Sequence, residues 1–502
     1  MAIKIIKEVT VKDLKKFLYK INLSDENLYR EANNPNMIGV FQLTSDTSSK
    51  ILKEVRPKNF DEICAISSLA RPGTIEFVPD YIKNKETGSS KYPEIISDLL
   101  KETHSVVLYQ EQIMSIFNKI GGFSLDRTNY IRGLMKKLGK KEKKQEDVDA
   151  WNKEVEKFKE GARLKGLTDR ESDEVADDLL RLSSYSFNKS HAVAYSYIGM
   201  MNLYLSYYFR KYYYSSVLSY EVDRDKSIGD VFKLVKEQGF IVNPPDVNNS
   251  DYKIFPTDAN RELVYGLIDI KGVGEKAIPS IIENRPYKDL FDFYIKTQGK
   301  GVNATVIKSL ICSGAFDFYD KNRKKLLEVF IDFSEKKKSK KDPATLFSIF
   351  KECEKEKADV VTTNEDLIEY EKTFLGANIF TSLFNEKMNK VFLEMEEKSL
   401  IKTNLEKVTI GASRVPVIIT RKHELNDKNG NPMCFIEFED MHGNRDSVPI
   451  FSSYFKFLEP FEVNCVYLIS LYRKEGKIMF GTSKYEDREE PIKRFVKKIK
   501  GD

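Results

Sequence analysis

The sequence predicts a mainly α-helical, multidomain protein whose C-terminal part is a small antiparallel β-barrel. At 502 residues the chain is long enough for roughly three or four domains. Apolar residues recur at spacings of three and four from Thr47 to about Phe240, which predicts a large helical block. From Lys407 to Tyr485 the pattern changes to six short β-rich stretches, and Asn429-Gly430 supplies a hairpin turn between two of them.

The composition limits the classes of protein that need to be considered. Hydrophobic residues make up 41% of the chain and charged residues 32%, so there is enough apolar material for real cores and global disorder is excluded. A net charge of +5 is too small to establish a nucleic-acid partner, so local clusters of charge have to carry that argument. The five cysteines form no C-x-x-C pair, which fits a reducing cytoplasm without a zinc site or a disulfide framework.

One stretch has to be tested as a membrane span. Residues 192–209 contain no charged side chain and are near the minimum length for a spanning helix. Five tyrosines are spread through this stretch, whereas membrane tyrosines gather at the two interfaces. We therefore expect a helix that is buried in a protein core, and no membrane partner.

Local patterns predict the elements around the helical block. Residues 1–7 alternate basic and apolar side chains and predict a short strand, without the features of a signal peptide. Ser24 is expected to cap a helical turn over Asp25–Arg30, and Ile38–Leu43 reads as an apolar, strand-like run. Two prolines within Asn243–Ser250 end the helical pattern and predict a domain boundary there.

These patterns divide the chain into six segments. The charge run Glu335–Lys341 predicts a solvated, flexible linker after the second segment of helices. The predicted segments are an N-terminal strand segment (1–45), the large helical domain (46–250), a domain of short helices (251–334), a linker with a helical segment (335–404), the β-barrel (405–490) and a basic tail (491–502).

The sharpest local motif is Ile270-Lys-Gly-Val-Gly-Glu275, which is followed by an apolar helix start at Ala277. In a helix-hairpin-helix the glycines let backbone N–H groups approach a DNA phosphate, and the next helix dipole adds attraction. Any tight turn can carry such a motif, but Val306–Asp317 offers a second helix, hairpin and helix, which favours a tandem pair. The candidate DNA-binding residues are Lys271, Gly272, Val273, Gly274 and Lys276.

A second polar cluster lies at the start of the long uncharged helix. Asn188, Lys189, Ser190 and His191 are consecutive there, and a helix N-terminus with a lysine suits a triphosphate. The alternative is that Asn188 or Ser190 only caps the helix, and the sequence leaves both interpretations open.

Eight motifs follow one another along the chain: Gly39–Leu43, Arg71–Gly73, Tyr109–Gln112, Phe187–His191, Pro244–Asp246, Tyr265–Gly266, Lys271–Glu275 and Ser313–Asp317. In their order and approximate spacing the chain resembles, over nearly its whole length, the bacterial DNA polymerase III alpha subunit, a C-family polymerase. The resemblance implies a fingers domain over residues 46–250, tandem helix-hairpin-helix motifs over 251–334 and an OB-fold over 405–490. It also implies that residues 1–45 adjoin the palm domain.

The resemblance further implies that the fingers bind the incoming dNTP and that the chain binds a DNA primer-template. The implied nucleotide-binding residues are Arg71, Arg132, Lys136, Asn188, Lys189 and His191. The chain departs from the family at Gly133, where a second triphosphate-gripping arginine is expected, and Lys136 is the candidate to take over part of that contact.

The family's catalytic Mg²⁺ ions are held by three palm aspartates, and the resemblance does not cover the palm. The strand that carries one of them is expected just before Met1, so no catalytic residue and no metal ligand is assigned in this chain. The remaining acid pairs are expected to be ordinary surface acids rather than a two-metal site. They are Asp147 with Asp149, Asp223 with Asp225, and Asp289 with Asp292.

The sequence therefore predicts one polypeptide of a split replicative DNA polymerase, inactive alone and completed by a second chain that bears the palm and holds Mg²⁺. The alternatives are a non-catalytic DNA-binding protein derived from such a polymerase, or a deliberately shortened polymerase. A divided polymerase favours a phage as the source of the chain and the host cytoplasm as its location.

Pro343–Phe347 is a weak match to a sliding-clamp peptide, because it lacks the glutamine. In the barrel, some of Phe435, Phe438, Arg445 and Phe451 are expected to face a single strand.

Overall fold

The computed structural model describes most of the chain. The described residues are 18–138, 144–183, 187–220, 228–259, 261–337, 342–382, 384, 386–442, 444–452, 461–463, 465–481 and 496–499. They form two compact units, one of Met1–Val242 with Ile254–Leu263 and one of Asn243–Lys253 with Val264–Asp502. The strand expected over residues 1–7 lies outside the described residues.

The first unit is helical, as the apolar spacing predicts. Its described α-helices are α1 (Glu26–Ala32), α2 (Asp46–Val55), α3 (Phe60–Leu69), α4 (Val78–Thr87), α5 (Glu94–Ser97), α6 (Gln110–Lys119), α7 (Leu125–Leu138), α8 (Gln145–Leu164), α9 (Asp169–Ser183), α10 (Lys189–Tyr208), α11 (Arg210–Tyr220) and α12 (Ile228–Glu237). Short 3₁₀ helices cover Ile75–Phe77 and Asp98–Thr103. A small sheet of order β1-β3-β2 follows α12, with β1 at Ile241–Asn243, β2 at Phe255–Pro256 and β3 at Glu262–Val264.

Helix α10 packs against α1, α3 and α11, while Val193, Ile198 and Tyr208 of the same helix are exposed, so the expectation of a helix buried in a core holds for only part of its surface. Ala192, Met200 and Leu203 are fully buried along it. Among the described helices, none combines the length and the apolar character that crossing a membrane requires.

Two local expectations near the start of the chain are wrong. Helix α1 is capped by Asp25, whose carboxylate accepts the N–H of Asn27 at 3.0 Å, and not by Ser24. Ile38–Leu43 is a turn rather than a strand. Its backbone bends at Gly39, where φ is +72°, and an added Cβ there would lie 2.7 Å from Val217. The apolar side chains are buried by helices instead of by a neighbouring strand.

Helix α8 crosses the turn after α6 at very short range. A Cβ added to Gly161 of α8 would overlap the backbone carbonyl of Gly121, which has little freedom to move. Gly133 in α7 offers the opposite environment, because a Cβ there meets no atom within 4 Å. The two glycines form a matched pair for a stability test.

We expect Gly161→Ala to destabilise the first unit by about 2 kcal/mol, because the added methyl overpacks a backbone contact. Gly133→Ala should stabilise the same unit by up to about 1 kcal/mol through helix propensity. Trp151 is the single tryptophan, is buried and lies in this unit, so its fluorescence during urea unfolding reports on the unit alone. A Gly161→Ala protein as stable as the wild type would contradict the close crossing.

The second unit contains helices followed by a β-barrel. Its described helices are α13 (Ile278–Glu283), α14 (Leu290–Thr297), α15 (Ala304–Cys312), α16 (Arg323–Lys336), α17 (Pro343–Glu356), α18 (Asn364–Phe374) and α19 (Glu386–Glu397). Its described strands after these helices are β4 (Ser413–Asn426), β5 (Pro432–Asp440), β6 (Arg445–Ile450), β7 (Val466–Lys474), β8 (Lys477–Phe480) and β9 (Val496–Lys498).

The barrel strands are antiparallel in the order β6-β5-β4-β7-β8, and β9 pairs with β7. Alternate side chains such as Val415, Ile436 and Ile469 fill its core. Together with the helical first unit and the hairpin helices, this nearly closed sheet confirms the predicted fold class of a mainly α-helical chain with a C-terminal OB-like barrel.

Three details of the second unit differ from the expectations. Val408–Ile410 is not a strand; Val408 instead enters the barrel core after a 3₁₀ turn. The sixth strand is Val496–Lys498, within the expected basic tail. The charge run begins as helix, because α16 continues to Lys336, whose ammonium group pairs with Glu356 at 2.6 Å. Residues 338–341 of that run lie outside the described residues.

Candidate nucleotide site and DNA-binding hairpin

Helix α10 begins at the polar cluster that the sequence singles out. Asn188 is its N-cap, and the side-chain oxygen accepts the N–H of His191 at 3.2 Å. The capping interpretation is therefore observed for Asn188. A cap and a ligand site are compatible, because capping satisfies only one of the free N–H groups at a helix start.

Three of the sequence motifs meet at this helix start. Phe187 pairs with the chain before α6, since its N–H donates to the Leu108 carbonyl and its own carbonyl accepts the N–H of Gln110, each at 2.9 Å. The guanidinium carbon of Arg71 lies 3.5 Å from the centre of the Phe187 ring. Burial lowers the pKa of Arg71 from its ordinary value. Arg71 remains the best available cation for an anionic ligand here, because a stacked guanidinium keeps N–H groups for other partners.

Two carboxylates already occupy positive groups of the site. Glu111 of α6 accepts the backbone N–H of Lys189 at 2.9 Å and the side-chain amide of Asn188 at 3.1 Å. The ammonium group of Lys189 forms an ion pair with Glu102. An anionic ligand that uses Lys189 or the helix start must therefore compete with Glu102 or Glu111.

Four aromatic rings follow one another along the outer side of the site. The His191 ring lies 6.2 Å from Phe187 and stacks on Tyr195 at 6.1 Å. Tyr195 in turn meets Phe41 edge-on at 5.8 Å. His191, Tyr195 and Phe41 are exposed, so flat faces are available for contact with a base or sugar.

The other two predicted nucleotide residues lie on α7, and no described contact joins them to the start of α10. Arg132 is exposed and makes no ion pair with the described residues. Gly133 is also exposed, and no atom of the described residues lies within 4 Å of a Cβ added there. Lys136 belongs to α7, but its side chain lies outside the described residues.

A buried charge cluster holds the segment that carries Glu102. Glu62 of α3 is almost fully buried and accepts hydrogen bonds from Lys85 at 2.8 Å, His104 at 3.1 Å and the N–H of Lys58 at 2.6 Å. Burial alone would raise the pKa of Glu62, but the hydrogen bonds from His104 and Lys85 outweigh it and lower this pKa to about 2. The cluster therefore favours an ionised Glu62.

We expect Glu62→Gln to lower the free energy of unfolding of the first unit by about 3 kcal/mol at pH 7, because each pKa unit is worth about 1.4 kcal/mol. The folded-state pKa lies below the unfolded value, so the stabilisation is complete above about pH 5 and is lost as pH falls toward 2. Urea unfolding followed by Trp151 fluorescence at pH 7, 5 and 3.5 measures the difference in unfolding free energy between the wild type and Glu62→Gln. Glu54→Gln on the exposed side of α2 is the control. If this difference in unfolding free energy does not become smaller at acid pH, the proposed charge effect is excluded.

The predicted DNA-binding hairpin lies in the second unit, just before α13. Gly272 has φ of +96° and packs directly against the Ser309 hydroxyl of α15. The N–H of Lys271 is already bound to the Phe374 carbonyl at 2.9 Å. The backbone N–H groups of residues 274–276 have no acceptor among the described residues, so they are available to a phosphate.

The side chains around this hairpin divide into two classes. Lys271 and Lys276 are exposed, and a Cβ on Gly274 would meet no atom within 4 Å. Val273 is buried, so its side chain serves packing. The hairpin thus presents free N–H groups flanked by two lysines.

The second helix-hairpin-helix is built differently. Its turn places Gly314 at φ of +91° and binds the N–H of Ala315 to the Leu310 carbonyl at 2.9 Å. The buried Arg323 holds the turn through two hydrogen bonds to Asp317, at 2.9 and 2.7 Å. Arg323 is the first residue of α16, so these bonds tie the turn to that helix.

Comparison with known proteins finds similarity in both regions. Residues 1–163 match the family model described as the bacterial DNA polymerase III alpha subunit finger domain, and residues 239–326 match the helix-hairpin-helix motif. The chain is 28% identical over 490 residues to the DNA polymerase III subunit alpha of Staphylococcus epidermidis (strain ATCC 12228), covering 95% of this chain and 43% of that protein. It is 30% identical over 492 residues to the same subunit of Bacillus subtilis (strain 168), covering 95% and 41% respectively.

These findings support a relationship between this chain and the DNA polymerase III alpha family. The chain spans about two fifths of the length of the curated relatives it matches. The part that matches includes the finger-domain and hairpin regions that were described above, so the likeness covers both candidate sites.

The resemblance to the polymerase III alpha family implies catalytic Mg²⁺. The described residues do not form a site that fits this ion. Among them there is no group of three or more His, Cys, Asp or Glu side chains placed to hold a metal ion. The acid pairs have structural partners instead. Asp147 pairs with Lys137 at 2.9 Å, Asp289 caps α14, and Asp292 pairs with Lys296 at 2.9 Å. Asp223 and Asp225 lie outside the described residues.

Sequence reasoning missed several residues of the candidate nucleotide site. Tyr195 lies four residues after His191, and that helical spacing is a usable signal for a ring stack. Glu111 lies within the Tyr109–Gln112 motif, but its contact with α10, like that of Glu102, depends on how α6 and the preceding 3₁₀ turn pack against α10. The same holds for the cluster around Glu62.

Proposed function

We propose that this chain is the fingers, helix-hairpin-helix and OB-fold part of a replicative DNA-directed DNA polymerase. In this proposal the start of α10, with Arg71, Lys189 and His191, binds the incoming dNTP. The hairpin at residues 271–276 binds the duplex backbone of the primer-template. The observation that carries the proposal is the meeting of Arg71, the Tyr109–Gln112 segment and Phe187–His191 at one helix start.

We further propose that a second chain supplies the palm and holds the catalytic Mg²⁺. The proposal rests on the resemblance, which implies that the family's palm aspartates lie outside the part of the family that this chain matches. In such a complex this chain positions the nucleotide and the duplex, and the palm carries out phosphoryl transfer. A divided polymerase suits a phage that replicates in the host cytoplasm.

Primer extension tests this proposal directly. The three reactions contain this chain alone, a candidate palm chain alone, and both together, with the same primer-template, dNTPs and Mg²⁺. We expect extension only in the mixture. Robust extension by this chain alone would refute the divided arrangement.

One observation favours a second candidate function, a DNA-binding protein without polymerase activity. Glu102 and Glu111 occupy the positive groups of the nucleotide site, as expected if that site no longer receives a triphosphate. In that case duplex DNA binds normally, while dNTPs do not bind and no palm chain restores extension. Equilibrium dialysis with labelled dNTP separates the two functions.

Two further contacts belong to the proposal. Pro343–Phe347 forms the first turns of α17, and Leu346 is buried, so sliding-clamp binding requires this helix to open. In the barrel, Phe438 is a core residue, whereas Phe435 and Phe451 are exposed and suit stacking with single-stranded template.

A further inference from the structure

A separate cavity of about 220 Å³ lies in the first unit. It is formed by α4, the loop after α4, the segment Ser105–Val107 and the end of α9. Phe77, Val106 and Val107 are buried and give it an apolar floor. None of the residues proposed above to bind dNTP or duplex DNA lines this cavity.

Cations dominate the rim of the cavity. Lys83, Lys91 and Arg181 line it, and Asp80 is the one carboxylate among the described lining residues. Behind the rim, the carboxylate of Asp178 forms ion pairs with the Lys91 ammonium group at 2.5 Å and the Arg181 guanidinium group at 3.5 Å. Lys83 has no ion-pair partner among the described residues, so its charge is available to a ligand.

The loop after α4 adds hydrogen-bond donors. The hydroxyl oxygen of Ser90 accepts the N–H of Tyr92 at 3.0 Å, which leaves the hydroxyl hydrogen to be donated. The backbone N–H groups of Ser90 and Lys91 have no acceptor within the described part of the chain. Successive free N–H groups beside lysines and a hydroxyl form a cradle for an oxyanion.

We propose that this cavity binds a phosphate group. Its volume is below the usual range of about 300–1,000 Å³ for ligand pockets, which suits a phosphate or pyrophosphate better than a whole nucleotide. The source is either a free phosphoanion or a backbone phosphate of single-stranded DNA. This site goes beyond the proposed function and does not depend on it.

Two substitutions that should change the binding affinity in opposite directions test the negative charge of the ligand. Lys83→Gln should weaken binding about tenfold, because it removes an exposed charge without breaking an ion pair. Asp80→Asn should tighten binding about threefold, because it removes the only lining carboxylate. Lys53→Gln on the exposed side of α2 is the control and should change nothing.

The experiment is isothermal titration of the full chain with inorganic pyrophosphate and, separately, with a short oligothymidylate. The oligonucleotide arm uses the Lys271→Glu, Lys276→Glu background, so that the hairpin does not contribute. Opposite shifts of Lys83→Gln and Asp80→Asn in either arm support the site, and the arm that responds identifies the source. Absence of binding to both probes, or affinities that the two variants leave unchanged or shift in the reverse sense, would overturn it. Circular dichroism melts verify that the variants are folded.

Discussion

Changing Lys271 and Lys276 together to glutamate should weaken the binding of duplex primer-template about 100-fold. Each lysine is placed to neutralise one phosphate, so the slope of log affinity against log salt should also fall by about 2. Both side chains are exposed, and the hairpin backbone is held by contacts that do not involve them. Fluorescence anisotropy with a labelled duplex between 50 and roughly 200 mM salt measures both quantities.

The two hairpin glycines provide a matched control. Gly274→Ala places a methyl group in open space, so the fold should be retained while approach to a phosphate is hindered, with about a fivefold loss of affinity. Gly272→Ala forces a methyl group onto Ser309 and strains a positive φ, so it should lower the stability of the second unit. Wild-type affinity in both the charge reversal and Gly274→Ala would exclude this hairpin as the DNA-binding surface.

Lys189→Ala should weaken dNTP binding by 10- to about 100-fold, the range expected for a lost charge-assisted hydrogen bond. Glu102→Gln should have the opposite effect, a gain of about threefold, because it releases the Lys189 ammonium group from its ion pair. The KM for dNTP of the assembled polymerase, or equilibrium dialysis with this chain, measures both changes.

A double-mutant cycle distinguishes this competition from a purely structural ion pair. If Lys189 binds the triphosphate, Glu102→Gln should give no gain once Lys189 is alanine. If the pair only stabilises the fold, both single variants should lower the melting temperature and neither should improve nucleotide affinity. A loss of affinity in Glu102→Gln would therefore count against the proposed role of Lys189.

Patterns that depend on near neighbours in sequence were predicted well. The helical first unit follows from apolar spacing, and Asn429-Gly430 forms the turn between β4 and β5. The hairpin before α13 follows from two glycines in a short motif, because only glycine suits φ of +96° at position 272. These features are local, so local residue types are enough to predict them.

Patterns that depend on a distant partner were not predicted. Ile38–Leu43 has the composition of a strand but has helices as neighbours, whereas Val496–Lys498 lies in a basic tail and becomes a strand because the edge of β7 is free to pair with it. A strand requires a partner edge, and the residues of the segment itself do not reveal whether one is present.

The sequence by itself determined the fold class, the order of the fingers, hairpin and barrel segments, and which polar motifs deserved attention. Only the tertiary structure decided that Arg71 stacks on Phe187 and that Glu102 and Glu111 neutralise the start of α10. The reason is physical: periodicity and turn chemistry act within a few residues, whereas charge pairing and ring stacking depend on side chains that packing brings together from distant parts of the chain.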